Sequence, residues 1–237
     1  MRSDEPLVDV LKAVPDFSDW EQSRLWIKSE MQIVSHLDPE FVVKAEFRAL
    51  EWKDLAQPSQ PPFGLYSLEN WRKFALATFM ADLGSYPNPV DQVNFDRLLF
   101  VMHAFPQGFR TWWIKCQDQI WRPVGYTGWY PMFDNFYAWM KNHPELLRDR
   151  MVAPNTYGSV TRPPLYLFNF SAIPALKKSA LSKALMKEFF ADIQAQKARG
   201  LACITVSEDG VRIANRLGMI CSGYLQIGNS TEGVYTA

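Results

Sequence analysis

The sequence predicts a mixed α/β fold, in which a helical N-terminal region precedes a sheet with both parallel and antiparallel strands. From Tyr166 onward the chain alternates strand, helix, strand, helix and strand. A strand, a crossover helix and a second strand of this length form a parallel pair. The segment before Tyr166 has the pattern of a β-hairpin, and the first hundred residues are mainly helical in spacing. We therefore expect a helical region over 1–104, packed on a sheet-containing core over 105–237.

Four helices are expected before residue 105. Apolar residues recur at a broadly helical spacing over Asp16–His36 and Phe41–Leu55. Ser67 is the expected cap of a third helix, because its hydroxyl can accept from a free backbone N–H. Asp91–Ala104 is a shorter helical candidate.

A hairpin is expected next, because Phe109–Gln117 is rich in strand formers and Ile120–Trp129 can return beside it. Pro123 and Gly125 within the second arm predict a bulge or an edge position, since proline cannot donate to a ladder. Aromatic residues make up 14% of the chain and are concentrated in this region. They indicate either a large core or a pocket for an apolar or planar substrate.

The second half of the chain has the cleanest pattern. A helix is predicted where apolar residues recur every four positions, at Leu181, Leu185, Phe189 and Ile193. The remaining predicted elements are strands over Leu165–Phe170, Leu201–Val206 and Met219–Ile227, and a short helix over Val211–Leu217 with Ser207 as its cap.

Composition disfavours several classes of partner. Lys+Arg and Asp+Glu balance at 25 each, so the chain lacks the net charge that favours nucleic acids or anionic membranes. No apolar run approaches the ~18–20 residues that span a bilayer.

The acidic start does not resemble a signal peptide, and the three separated cysteines suit a reducing compartment, so a cytoplasmic protein is expected. The three histidines show no metal-ligand spacing, and no metal is expected.

Ala172–Met186 is the segment that points to chemistry, because it joins a buried strand directly to an amphipathic helix. A helix N-terminus offers free N–H groups and a positive dipole end, which suit a phosphate. Three lysines would add positive charge and two serines would add hydroxyl donors: Lys177, Lys178, Lys183, Ser179 and Ser182. The alternative is an ordinary turn with solvated lysines.

The same segment resembles the pyrophosphate loop of the GNAT superfamily, the acyl-CoA-dependent N-acyltransferases. That loop has a proline, then Arg/Gln-x-x-Gly-x-Gly/Ala and a leucine-rich helix. Here Pro174 falls on the proline and Lys177 on the Arg/Gln. Ala180 and Ser182 fall on the two glycines, so the loop is degenerate. Arg216-Leu-Gly-Met219 is similar to the end of the family's last crossover helix, and Trp121–Trp129 is similar to its third strand.

The resemblance implies an enzyme that transfers the acyl group of acetyl-CoA, or of another acyl-CoA, to a primary amine of a small molecule or protein. Ala172 and Ile173 would then offer backbone groups to the pantetheine arm. The pyrophosphate would lie against Lys177, Lys178, Ser179, Ala180, Leu181, Ser182 and Lys183. The reaction would be direct attack of the amine on the thioester.

Catalytic side chains are harder to assign from the resemblance. Many members carry a tyrosine acid at the position of Ala214 in this chain, so the acid is missing or comes from elsewhere. Ser207 follows the strand expected near the thioester, whereas Tyr130 and Asp134 could reach the acceptor side.

Two alternatives stay open. One is an acyltransferase that uses a carrier-protein or aminoacyl-tRNA donor, although the neutral charge argues against tRNA. The other is a catalytically inactive GNAT-fold module that binds a partner or senses a ligand. An exposed final strand would also allow a homodimer.

Overall fold

The computed structural model describes residues 7–55, 67–86, 88–147, 151–156, 162–177, 179–227 and 230–237. Its strands are β1 (Phe47–Glu51), β2 (Phe109–Lys115), β3 (Trp121–Pro131), β4 (Leu165–Ala172), β5 (Leu201–Thr205), β6 (Ile220–Ile227) and β7 (Ser230–Thr236). Its α-helices are α1 (Trp20–Ser35), α2 (Pro39–Lys44), α3 (Leu68–Ser85), α4 (Phe95–Ala104), α5 (Asp134–Asn142), α6 (Ala180–Ala195) and α7 (Glu208–Arg216).

The described strands form one sheet in the order β1-β2-β3-β4-β5-β7-β6. β4 and β5 run parallel, while β1–β2, β5–β7 and β6–β7 pair antiparallel. The predicted mixed α/β fold is therefore confirmed.

Residue proximity divides the chain into two compact units. The first comprises Met1–Met102, Phe109–Thr127 and Ser171–Ala184, and the second His103–Gly108, Gly128–Phe170 and Leu185–Ala237. The division at 104/105 expected from the sequence stays a prediction.

Helix α3 organises the first unit. Ser67 caps it as predicted, because its Oγ accepts from the N–H of Asn70 at 3.4 Å. The helix is buried around Phe74 and Met80. Its Thr78 hydroxyl lies 2.7 Å from the hydroxyl of Thr111 in β2, so the helix and the strand share a buried hydrogen bond.

The first strand corrects the helix predicted over Phe41–Leu55. Helix α2 ends at Lys44, β1 follows, and a 3₁₀ turn covers Trp52–Leu55. Burial alternates along β1, where Arg48 and Leu50 are buried and their neighbours are half-buried. Pairing with β2 and burial with a period of two outweigh the helical spacing of this short segment.

The edge position considered for the second hairpin arm is wrong, because β3 lies between β2 and β4 and all of its residues are buried. Gly125 has another reason to be glycine. A Cβ built there would lie 2.5 Å from the carbonyl oxygen of Ser171 and 3.1 Å from the Cα of Ala172. Only a residue without a side chain permits this close approach of two backbones.

Helix α6 forms the core of the second unit as predicted. Leu185, Phe189 and Ile193 are buried, and Leu181 is half-buried. Phe189 and Ile193 pack in one cluster with strand residues that include Cys203. The apolar stripe read from the sequence is thus the face that the helix buries.

A strand beyond the one predicted as last completes the sheet. β7 follows β6 and lies between β5 and β6, so β6 rather than the final strand occupies the edge. Val234 of β7 is fully buried. The segment forms a strand in spite of its mixed polar and apolar residues, because it pairs with β5 on one side and β6 on the other. The homodimer stays a prediction, and the edge strand that it would use is β6.

Within the described residues, no helix is long and apolar enough to cross a membrane. The same part of the chain contains no group of three or more His, Cys, Asp or Glu side chains that could hold a metal ion.

Candidate functional site

The parallel pairing of β4 with β5 is short. Its register joins Leu165 to Leu201 and Tyr166 to Ala202, and β4 then continues for six more residues to Ala172. β4 therefore continues well beyond Tyr166, its last residue paired with β5.

The side chains of β4 show that its alternation shifts by one residue. Leu167 belongs to the same core cluster as Phe189, and the ring of Phe170 lies 5.6 Å from that of Phe189. Phe168, between them in sequence, instead lies 5.9 Å from the ring of Tyr130. Regular alternation would place residues 167 and 170 on opposite faces. An extra residue, a β-bulge, therefore lies within 168–170.

The backbone of β4 supports the same conclusion. The N–H of Leu165 donates to Gly200, immediately before β5, at 2.9 Å. The N–H of Ile173, eight residues later, donates to Val124 of β3 at 2.9 Å. In a regular strand, residues an even number of positions apart direct their N–H groups to the same side. The N–H groups of Leu165 and Ile173 instead bond on opposite sides, one toward β5 and the other toward β3. Bulges of this kind redirect side chains and backbone groups, often beside active sites.

Ser179 caps α6 directly after β4 and a 3₁₀ turn. Its Oγ accepts from the N–H of Ser182 at 3.0 Å, and the Ser182 hydroxyl donates to the Ser179 carbonyl at 3.0 Å. The N–H of Lys183 bonds the same carbonyl at 3.3 Å. Both serines expected to offer hydroxyls to a phosphate thus hold the start of the helix.

Other groups of this turn are placed to bind an anion. The N–H groups of Ala180 and Leu181 lie in the first turn of α6, where a helix supplies no acceptor of its own. The side chains of Lys177 and Lys183 are exposed beside them. Lys178 lies outside the described residues. The turn fits a phosphate through backbone N–H groups, lysine charge and the O–H of Ser179, because the capping bond of Ser179 uses only an oxygen lone pair.

Comparison with known proteins identifies the fold in which this turn lies. No protein-family model matches the sequence, and no curated protein matches it. Among solved structures, the loading GNATL domain of CurA from Lyngbya majuscula superposes with a TM-score of 0.51. The match covers 81% of this chain and 96% of that domain at 9% identity. The chain has the GNAT fold.

Two further solved structures give lower TM-scores. The NatC complex bound to Gag peptide and CoA matches with a TM-score of 0.49 at 9% identity, covering 80% of this chain and 95% of that one. The GphF GNAT-like decarboxylase in complex with isobutyryl-CoA gives 0.48 at 12% identity, covering 81% and 97%.

Two residues are expected along the pantetheine arm. Ala172 is the last residue of β4, and Ile173 follows it at the start of the 3₁₀ turn. Ile173 is fully buried, its N–H bonds Val124, and its carbonyl accepts from the N–H of Leu176 at 3.0 Å. Ala172 is half-buried. Ala172 is therefore better placed than Ile173 to offer backbone groups, and the pantetheine contact of both stays a prediction.

The side chains considered for catalysis each make a structural contact. Tyr130 is fully buried and its hydroxyl donates to the carbonyl of Val152 at 2.8 Å. Asp134 forms an ion pair with Arg199 at the start of α5, and both side chains are about half exposed. The catalytic roles of Tyr130 and Asp134 stay predictions.

Ser207 precedes α7, and Ala214, the position where the GNAT resemblance places a tyrosine acid, lies near its end. Ser207 caps α7, and its Oγ accepts from the N–H of Gly210 at 3.2 Å. Ala214 is 1% exposed and packs in the core with Phe189. Alanine at position 214 supplies no acid, whereas the Ser207 hydroxyl keeps its O–H for donation, because its capping bond uses an oxygen lone pair.

Ser171 is a polar residue of β4 that sequence reasoning missed. It is 3% exposed, and its hydroxyl has no hydrogen-bond partner among the described residues. The signal in the sequence was a hydroxyl at the end of a mostly apolar strand, immediately before Ala172.

Proposed function

We propose that the protein is an acyl-CoA-dependent N-acyltransferase that transfers a short acyl group, with acetyl the first choice, to a primary amine. The acceptor would be a small molecule or the amine of a protein. One observation carries the proposal: a chain with the GNAT fold has a strand, a tight turn and a capped helix at Ala172–Ala195, where its sequence resembles the GNAT pyrophosphate loop.

The phosphates of the donor would lie at the start of α6. The first-turn N–H groups of Ala180 and Leu181 and the positive end of the helix dipole favour an anion there. Lys177 and Lys183 add exposed positive charge. Small residues at positions 180 and 182 keep the backbone accessible, although less so than two glycines would.

The reaction would be acyl transfer without a covalent enzyme intermediate. The lone pair of the acceptor nitrogen attacks the thioester carbonyl carbon, the C–S bond then breaks, and the amine proton passes to solvent or a base while the thiolate is protonated. The products are an amide and CoA thiol. The protein would contribute positioning and polarisation of the carbonyl, with Ser207, Tyr130 and Asp134 as the candidates for proton transfer.

A second candidate function is a GNAT-fold module that binds an acyl-CoA or a partner without catalysis. The specific observation in its favour is Ala214, a buried alanine at the position where the GNAT resemblance places the acid that protonates the leaving thiolate. Loss of an acid need not abolish transfer, because a thiolate is a good leaving group at neutral pH.

Thermal unfolding with acetyl-CoA, longer acyl-CoAs and CoA tests donor binding. A ligand at about 100 times its dissociation constant adds roughly 2.7 kcal/mol to the native state and raises Tm by about 5–11 °C. The variant Lys177→Glu/Lys183→Glu should lose this shift, whereas Lys187→Glu, an exposed lysine on the same helix, should keep it. A cooperative transition that no thioester moves in the wild type would refute the proposal.

Release of CoA thiol then separates the two candidates. The enzyme predicts thiol release that depends on an added amine pool. Donor binding without amine-dependent release would favour the non-catalytic module.

A further inference from the structure

Ser171 has a buried hydroxyl that the protein itself does not satisfy. It is 3% exposed, and its Oγ has no hydrogen-bond partner among the described residues. Buried hydroxyls nearly always bond to protein or to an ordered molecule. A group outside the chain, either a water or a ligand, would satisfy this hydroxyl.

The surroundings hold Ser171 in place without offering it an acceptor. The Ser171 carbonyl oxygen lies 2.5 Å from where a Cβ on Gly125 would be, and the Trp112 ring lies 3.3 Å from the same position. The nearby backbone groups of Ile173 are already bonded, its N–H to Val124 and its carbonyl to Leu176. A hydroxyl on such a closely packed strand cannot easily move to find another partner.

The position of Ser171 suggests what the missing partner is. It lies on β4 immediately before Ala172, and the same strand leads through a 3₁₀ turn into the start of α6. The GNAT resemblance implies that a donor with its phosphates at the start of α6 has its pantetheine arm beside Ala172, the last residue of β4. That arm and the acyl group carry amide and thioester carbonyls, which accept hydrogen bonds.

We infer that the Ser171 hydroxyl donates a hydrogen bond to a carbonyl oxygen of the acyl-CoA donor. The inference rests on the proposed function. It makes Ser171 a binding residue, distinct from the phosphate contacts at the start of α6.

Isothermal titration calorimetry on Ser171→Ala tests the inference. Without ligand, the variant should melt at or above the wild-type temperature, because the hydroxyl removed has no partner in the protein. Its affinity for acetyl-CoA should fall about tenfold, the effect of one lost hydrogen bond. Ser171→Cys, with a similar volume and a much weaker donor, should show the same loss.

A matched control is Ser85→Ala. Ser85 is also a buried serine of the first unit, but its Oγ donates to the Ala81 carbonyl at 2.7 Å within α3. This variant should melt below the wild type and bind acetyl-CoA with unchanged affinity.

The comparison of acetyl-CoA with CoA identifies the carbonyl. Loss of affinity for acetyl-CoA alone places the bond at the thioester, whereas equal loss for both places it at a pantetheine amide. Wild-type affinity of Ser171→Ala for both ligands would overturn the inference and assign a water to the hydroxyl, while the proposed function would stand. If the wild type binds neither ligand, the proposed function and the inference fail together.

Discussion

At the residue scale, the buried Arg122 of β3 is the centre of a charge cluster in the first unit, in which Glu30 is buried and Asp118 is half exposed. It is 2% exposed, its Nε lies 2.6 Å from Glu30, and its two terminal nitrogens lie 2.8 and 2.7 Å from Asp118. Burial raises the pKa of Glu30 in spite of the guanidinium, and burial also raises the pKa of the neighbouring Cys116. The cluster is far along the chain from the proposed phosphate site, and we assign it a structural role.

Removing this guanidinium should destabilise the fold severely. Arg122→Met leaves Glu30 buried without its cation, which costs about 3–5 kcal/mol in other proteins. The free energy of unfolding in urea measures the loss. Arg212→Met is the control, since Arg212 pairs with Glu208 and Asp209 on the exposed side of α7 and should lose less than about 1 kcal/mol. Equal losses in the two variants would contradict the structural role of the cluster.

At the element scale, the sequence predicts secondary structure best where the whole pattern lies within one helix or strand. The four-residue recurrence over Leu181–Ile193 identified α6 and its buried face, and Ser67 and Ser207 were recognised as caps from their neighbours alone. These features depend on contacts a few residues apart.

Elements defined by distant partners were missed. β1 is five residues long and is stabilised by pairing with β2, about sixty positions later. For β7 the sequence carries one local signal, because Gly228-Asn229 is by residue type a dipeptide that favours hairpins. The bulge in β4 arises from packing around that strand. For Ser171 the sequence shows a hydroxyl at the end of an apolar strand, but only the structure shows that this hydroxyl is buried without a partner. The donor loop was found through its resemblance, whereas the capping role of its serines needed coordinates.

At the same scale, β3 and β4 approach closely at Gly125, and a substitution that adds one methyl group tests this approach. Gly125→Ala places a Cβ 2.5 Å from a backbone oxygen, so the strands must separate. We expect a loss of about 1–3 kcal/mol in unfolding free energy, together with weaker acyl-CoA binding, because Ser171 and Ala172 would shift. Chemical denaturation and calorimetry measure the two effects.

Gly210→Ala is the matched control for that substitution. A Cβ there meets Thr205 at an ordinary 3.4 Å, and position 210 lies within α7. Alanine favours helix over glycine by up to about 1 kcal/mol, so this variant should be neutral or stabilised. A neutral Gly125→Ala variant would show that the strands can relax without cost.

At the scale of the whole molecule, the charges balance, so the loss of stability in acid should depend on a few carboxylates whose pKa is perturbed. The chain carries 25 acidic and 25 basic side chains, and its isoelectric point is near 6.8. Net charge therefore contributes little to unfolding near neutral pH. Acid sensitivity should instead follow groups whose pKa differs between the folded and unfolded chain.

Asp118 is one such group, and its effect on the acid stability of the molecule can be isolated. The hydrogen bond from Arg122 holds the pKa of Asp118 below its ordinary 3.8, against the opposing effect of burial and with help from the N–H of Ile120. A lowered pKa stabilises the folded state above pH 3.8, and this contribution is lost as the pH falls through 3.8 toward the folded value. Asp118→Asn should therefore be less stable than the wild type at pH 6, and the difference should shrink as the pH falls below about 4.

The Arg122→Met background supplies the decisive comparison, because it removes the cause of the lowered pKa. There, Asp118→Asn should no longer change the pH dependence of unfolding between pH 6 and the acid transition. Urea denaturation at several pH values, in all four combinations, measures this coupling directly. A pH-dependent difference that persists without Arg122 would assign the lowered pKa to the backbone N–H of Ile120, and the acid sensitivity of the molecule would then not depend on the charge cluster.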